Sequence, residues 1–304
     1  MLEVYSYNAG KGDCIRLRFA NTHNIFVDSG VIRFASQFRL LCDNIKQSGE
    51  SLDALVLTHV DDDHIGGFLG NIRRTNYLCP FDEVWMNHSG NATASDRVLS
   101  VRQNDEIYAR LIKQGVCVIG MHTGDRRIVA DAVIETFSPS MTITAKEQNR
   151  QYREVQLARH RDYRIPLAEL ARKSLPPGDT SLNNRQSIVF SFEFENHKLL
   201  FTGDAWAEDV ALAKGNYDLV KLPHHGSARN ISEEFGRSIK SSNFLICTDG
   251  VHHPDKQTIA KLEEWYGEIN IISTAVWWKN GYFLEDDRSH NINYYWKEGI
   301  LAKW

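Results

Sequence analysis

Hydrophobic and polar positions alternate through residues 2–7 and again through 13–19, with Gly10 and Gly12 between the two runs. Strict alternation gives one face to a core and the other to water, so the pair predicts a β-hairpin. Residues 24–28 predict a third strand. The period then lengthens. Residues 34–48 read as a helix that stops at Gly49, and the short apolar run 53–57 reads as a buried strand. Gly66 and Gly67 lead into an apolar-periodic run, 68–72, that reads as a helix start. Residues 83–86 predict a strand, 95–114 a helix ending before Gly115, and 116–120 and 132–137 two more strands. Beyond residue 180, runs 187–195 and 198–202 predict a hairpin through Asn196 and His197. Strands at 220–222, 244–248 and 269–274 and an amphipathic helix at 255–266 follow. Trp277, Trp278, Tyr282 and Phe283 read as packing that closes a sheet rather than a platform for bases. Mixed strands and helices predict an α/β (α+β) chain. Strand-rich halves meeting near residue 180 suggest a duplicated architecture.

One segment breaks the rhythm. Residues 146–173 carry eight Lys/Arg (Lys146, Arg150, Arg153, Arg159, Arg161, Arg164, Arg172, Lys173) against four acids, and Pro176-Pro177-Gly178 follows. The region 141–180 is expected to be a solvated, helical insertion. The sharper alternative is a basic lid over the site that meets phosphate.

Composition narrows the class. The chain has 304 residues, 42% hydrophobic and 24% charged, within the range of a globular protein. No run reaches the ~18 apolar residues of a membrane span, and the start has no signal-peptide pattern, so a cytoplasmic protein without a membrane partner is expected. The five cysteines (14, 42, 79, 117, 247) are odd in number and scattered. Cys14, Cys117 and Cys247 lie in apolar runs and are expected to be buried, reduced thiols. A net charge of −4 argues against a broad basic surface for duplex nucleic acid, but leaves room for a short single strand or a nucleotide.

The chemistry concentrates at strand ends. Thr58-His59-Val60-Asp61-Asp62-Asp63-His64 puts two histidines and three carboxylates directly after the 53–57 strand. Three acids on one turn repel one another, and a divalent cation removes that cost while accepting both imidazole nitrogen and carboxylate oxygen. Two more apolar runs end in the same way: 199–202 runs into Gly203-Asp204, and 219–222 into Pro223-His224-His225-Gly226-Ser227. One such strand is easily accidental, and three are not.

These residues resemble the metallo-β-lactamase superfamily, whose His-x-His-x-Asp-His hallmark is met here with Asp61 in place of the second histidine. That replacement and Pro-His-His-Gly-Ser resemble a narrower group, the hydrolase domain of ComEC-type DNA-uptake proteins and their stand-alone relatives. Asn8-Ala9-Gly10-Lys11-Gly12-Asp13-Cys14-Ile15, the Asp28-Ser29-Gly30 turn, Asn183-Asn184-Arg185-Gln186-Ser187 and His253-Pro254 follow that group's order over about residues 1–280.

The resemblance implies a four-layer αββα sandwich of two mixed sheets flanked by helices, built as one domain over 1–304. It also implies two metals. One would be held by His59, Asp61 and Asp204, the other by Asp63, His64, Asp204 and His225, with Asp204 as the bridge. The superfamily's further histidine for the first metal is replaced by Asn183, a possible amide ligand, and His88 is a second way to fill the gap. Three nitrogens, three carboxylates and no sulfur suit zinc, which we favour, or manganese. Activated water would attack phosphorus or a carbonyl carbon, oriented by Asp63. His224, Asn184, Ser227 and His253 are candidate donors to substrate oxygen, and Asp28 and Lys221 are expected to support the ligands.

The function expected is metal-dependent hydrolysis of phosphodiesters, as a phosphodiesterase or nuclease. Carboxylic ester or lactone hydrolysis is the alternative within enzymes. A non-catalytic metal-binding module that serves a protein partner in a multi-gene system is the alternative outside them.

Overall fold

The structure is a computed structural model that describes residues 1–88, 99–142, 162–279 and 281–304. Two large mixed sheets face each other. The first runs in the order Gly299–Lys303, Leu2–Ser6, Ile15–Phe19, His23–Val27, Ala54–Val56, Glu83–Trp85, Cys117–Ile119. Its first three junctions are antiparallel and its last three parallel. The second runs Arg126–Val129, Ala132–Ser138, Val189–Phe194, His197–Phe201, Leu219–Lys221, Asn243–Ile246, Ile269–Ser273, Ile292–Trp296. It repeats the pattern, with three antiparallel junctions and then four parallel ones.

Alternation along the strands explains the layers. Leu2, Val4, Leu17, Ile25 and Val56 point inward and meet Phe190, Phe192, Leu199 and Leu219 of the other sheet. Phe26, Leu55 and Val84 point outward and pack on Phe38 and Cys42 of the helix Ala35–Gln47, Phe68 and Leu69 of Asp62–Ile72, and Ile107 and Leu111 of Leu99–Gln114. On the far side Leu200, Val220 and Phe244 pack on Ile259 and Leu262 of Lys256–Tyr266, with Leu167 and Leu170 of Leu167–Arg172. The layers are therefore helix, sheet, sheet, helix, the αββα architecture expected.

Three expectations change, and one strand pairing adds to them. The sheets divide between Ile119 and Arg126, not near residue 180, because the strands Arg126–Val129 and Ala132–Ser138 already belong to the second sheet. The last strand returns to the first sheet and pairs with Leu2–Ser6. Cys117 is exposed, since its strand forms the sheet edge, while Cys14, Cys42 and Cys247 are buried and all five thiols are free. Within 141–180, Leu167–Arg172 is packed rather than solvated, with Leu167 and Leu170 buried. Lys146, Arg150, Arg153, Arg159 and Arg161 lie outside the described residues, so the lid expectation falls mostly there. No helix among the described residues is long and apolar enough to cross a membrane.

The duplicated pattern positions the site. In each sheet, the chemistry-bearing turns leave the two strands that flank the change from antiparallel to parallel pairing. Asp28 follows His23–Val27, and the 58–64 turn follows Ala54–Val56. Asp204 follows His197–Phe201, and His224 and His225 follow Leu219–Lys221. All four turns lie at carboxyl ends of strands, where open sheets place ligands.

Candidate metal centre

The 58–64 turn is built to present side chains. Thr58 donates from its backbone N–H to Asp28 Oδ1 (2.8 Å) and from its hydroxyl to Asp28 Oδ2 (2.7 Å). Asp62 and Asp63 then open the helix Asp62–Ile72, where carboxylates favour the N-terminal dipole. Gly66 and Gly67 leave room for the 29–32 backbone: a Cβ at Gly67 would lie 2.0 Å from the Ser29 carbonyl. The second sheet supplies its histidines through a sharp turn. His224 (φ 46°) and His225 (φ 55°) are both left-handed, a conformation that costs about 1–2 kcal/mol per non-glycine residue. The strain aims two consecutive imidazoles at the same carboxylate.

That carboxylate is Asp204. His64 Nε2 lies 3.3 Å from its Oδ1, and His59 Nε2, His224 Nε2 and His225 Nε2 lie 3.9, 3.8 and 3.7 Å from its Oδ2. His59 Nε2 also lies 3.8 Å from Asp61, and His225 Nε2 3.7 Å from Asp63. The groups His59–His64–Asp204 and Asp63–His64–His225 are each compact enough for one ion, and every member is buried.

The opposite nitrogen of each ring is already committed. His64 Nδ1 donates to Asp28 Oδ2 at 2.7 Å, His225 Nδ1 to the Cys247 carbonyl at 2.8 Å, and His59 Nδ1 lies 3.2 Å from the Thr58 hydroxyl. Fixing Nδ1 turns Nε2 inward, where it can take a cation once any proton on it is displaced, as metal-bound histidines are held. The Nε2 atoms of His59, His64 and His225, with Asp204 Oδ1, are buried without a hydrogen-bond partner. Each such atom costs roughly 1–3 kcal/mol, and four that converge fit a pair of cations.

A charged layer lies beneath. Asp13 contacts Lys221 and lies 3.3 Å from His225 Nδ1 and 3.7 Å from His64 Nδ1. Lys221, 1% exposed, also donates to the Gly203 carbonyl (2.8 Å) and approaches Asp204 Oδ1 at 3.7 Å. A buried ammonium is costly unless paired, and Asp13 supplies the pairing.

Charge sets the protons. Burial opposes protonation of His64, but Asp204, Asp28 and Asp13 outweigh it and hold its pKa well above the usual value. Burial likewise opposes a proton on His225, and Asp204, Asp13 and Asp63 raise its pKa to about 9. His59 goes the other way: burial and neighbouring His64 hold it near 3. Burial penalises charge on Asp63, yet His225, His64 and Lys11 hold it well below the carboxylate range.

The remaining candidates sit around this core. Asn183 donates from Nδ2 to Asp61 Oδ1 (2.7 Å). Asn184 Nδ2 donates to Asp179 (2.7 Å) and lies 3.4 Å from His224 Nδ1. His224 Nδ1 lies 3.1 Å from Asn230 Oδ1, and its ring lies 5.1 Å from that of His253. His253 therefore stands behind His224, with Asp255 at 3.7 Å from its Nδ1. Ser227 is buried in the turn, where its hydroxyl accepts from Arg229 N–H. His88 bonds Asp105 and stacks on Tyr108, and neither of these partners belongs to the cluster. Asp179 and Asn230, which hold His224, gave no signal in the sequence. Asp13 and Lys11 lie inside the opening Gly-x-Gly-Asp, which marks a motif but not their contacts.

No family model matches the chain, and no curated protein does. Similar solved structures include the metallo-β-lactamase fold protein YhfI from Bacillus subtilis, at 11% identity and TM-score 0.48, covering 99% of this chain and 100% of that one. A diphosphatase from the PhnP family shares 10% identity at TM-score 0.47, over 100% and 98% of the two chains. Zn²⁺-bound PqqB from Methylobacterium extorquens shares 10% at TM-score 0.45, over 96% and 88%. Likeness at this level carries no chemistry across, so the chain's own residues must supply it.

Proposed function

We propose that this protein is a hydrolase that works with two divalent cations and cleaves phosphodiesters. The observation that carries the reading is the convergence of the His59, His64 and His225 Nε2 atoms, buried and without a hydrogen-bond partner, on Asp204. Such a pair of cations would make water acidic near neutral pH and polarise a substrate oxygen.

The protein's own residues supply the rest. Asp28, Asp13 and the Cys247 carbonyl hold His64 and His225 from below, so the ligand geometry exists before substrate arrives. Asp63, its side chain 12% exposed, contacts Lys11, which is 54% exposed. His224 reaches Asp204 from a different direction and is anchored through Asn230 and Asp179, which fits contact with the substrate's leaving oxygen. Charge favours an anion. Three ligand carboxylates (Asp61, Asp63, Asp204) against two divalent ions would leave one positive charge, Asp13, Asp28 and Lys221 beneath would together offset it, and Lys11 restores one positive charge at the rim. The ordered motifs support placement beside the ComEC-type hydrolase domains, with single-stranded nucleic acid or a nucleotide as the substrate class.

The test is turnover. With Zn²⁺ or Mn²⁺, bis(p-nitrophenyl) phosphate, single-stranded DNA or cyclic dinucleotides are expected to release product, and Asp63→Ala is expected to abolish release. Turnover confined to carboxylic esters or lactones would replace the substrate class. A stable complex with a partner protein and no turnover on any ester would replace the enzyme.

A further inference from the structure

The 9–12 turn brings one more side chain to the cluster. Lys11 Nζ lies 3.0 Å from Asp63 Oδ2, with the lysine side chain 54% exposed and the aspartate 12%. Its ammonium thus has a candidate ligand on one side and solvent on the other. We propose that Lys11 is an anion-binding residue of this centre, gripping a non-bridging oxygen of a substrate phosphoryl group. This deepens the reading above and rests on it.

Three observations lead there. First, Lys11 is delivered by a rigid turn. Ala9 and Gly12 bridge each other, Gly30 N–H donates to the Asp13 carbonyl at 2.7 Å, and Val31 N–H donates to the Ala9 carbonyl at 3.3 Å. Gly10 sits at φ +78°, and a Cβ at Gly12 would lie 1.8 Å from the Asp63 carbonyl oxygen. The turn is pressed onto the backbone of the residue that Lys11 contacts. Second, Asp63 has another task. The oxygen that Lys11 contacts also lies 3.7 Å from His225 Nε2, within the Asp63–His64–His225 group. Once that oxygen serves a cation, its charge is largely spent, and Lys11 is left beside a like charge. An anion between the two resolves the repulsion, and a phosphoryl oxygen can meet both. A neutral ester offers no such oxygen. Third, the other lysine at the cluster cannot serve. Lys221 is buried and committed to Asp13 and the Gly203 carbonyl.

The experiment uses the full zinc-loaded chain, with inorganic phosphate as probe, titrated by calorimetry at fixed ionic strength. Zinc stoichiometry is measured on every sample. Lys11→Gln is expected to weaken phosphate binding roughly tenfold, and Lys11→Arg to keep it within about threefold, with zinc content unchanged. Equal phosphate affinity in wild type and Lys11→Gln would overturn the proposal, as would no binding by the wild type up to ~10 mM phosphate. Zinc lost from Lys11→Gln and retained by Lys11→Arg would overturn it too, by making Lys11 a support for Asp63. Lys11-dependent phosphate binding without phosphodiester turnover sinks the proposed function and leaves this assignment standing. Turnover with Lys11-independent phosphate binding does the reverse.

Discussion

The two halves of the cluster are built differently. On the Asp63–His64–His225 side, the imidazoles are anchored from beneath by charged or carbonyl acceptors, Asp28 at 2.7 Å and the Cys247 carbonyl at 2.8 Å. On the His59–Asp61 side, His59 has a hydroxyl neighbour at 3.2 Å, and Asp61 is 24% exposed with one oxygen taken by the Asn183 amide. A preorganised ligand set binds without reorganising, and a looser one gives up affinity to order itself. On the proposed reading, the fold would offer a tighter cation site on the Asp63 side and a weaker one on the His59 side, with Asp204 between them.

The severest way to break this contrast is to remove what the sites share. Asp204→Ala is expected to strip both cations and lower turnover at least about a thousandfold. Elemental analysis and initial rates on one preparation check it, and one retained equivalent of metal would show that Asp204 is not the bridge.

Acid should separate the two sites. His225 holds a proton up to about 9 and His64 is shifted the same way, so below that pH a cation must displace protons to bind. His59, held near 3, presents no such competition in the neutral range. Lowering the pH from 8.5 to 6.5 is expected to weaken the Asp63 side by up to about ten-thousandfold, roughly tenfold per unit for each of the two protons, and the His59 side less. Competitive metal titration with a chromophoric chelator across that range reads both constants. Parallel curves would contradict the assignment.

Cutting the supports should act unequally on the two sides. Asp28→Asn keeps the shape but removes the charge beneath His64, and is expected to cost the tighter site about 10- to 100-fold in metal affinity. Thr58→Val also removes one of the hydrogen bonds to Asp28 and leaves His59 without its hydroxyl neighbour. Its effect on the weaker site is expected to be smaller, a few-fold. A change of opposite sign would come from gain rather than loss. Asn183→His places a nitrogen ligand where Asp61 now accepts an amide hydrogen bond, and is expected to tighten the weaker site by about tenfold in the same titration.

Local pattern carried much of this. The strand ends at 54–56, 197–201 and 219–221 were legible because a short apolar run followed at once by acid or histidine is a signal within ten residues. The helix Ala35–Gln47 was legible from its period and from Gly49. What failed was long-range. Nothing in residues 299–303 says that they will pair with residues 2–6, and nothing near residue 120 says that the chain there passes to the other sheet. Cys117 was misread because an apolar run looks alike at the centre and at the edge of a sheet.

The sequence by itself singled out the histidines and aspartates that meet in the cluster and the turns on which they lie, because residue type and strand termination are local properties. Only the tertiary structure decided what each of them faces. It set Asp13 under His64 and His225, turned the Asn183 amide toward Asp61, and brought Lys11 to Asp63 across 52 residues of chain. A side chain's direction depends on the packing of distant segments, and hydrophobic periodicity does not record that packing.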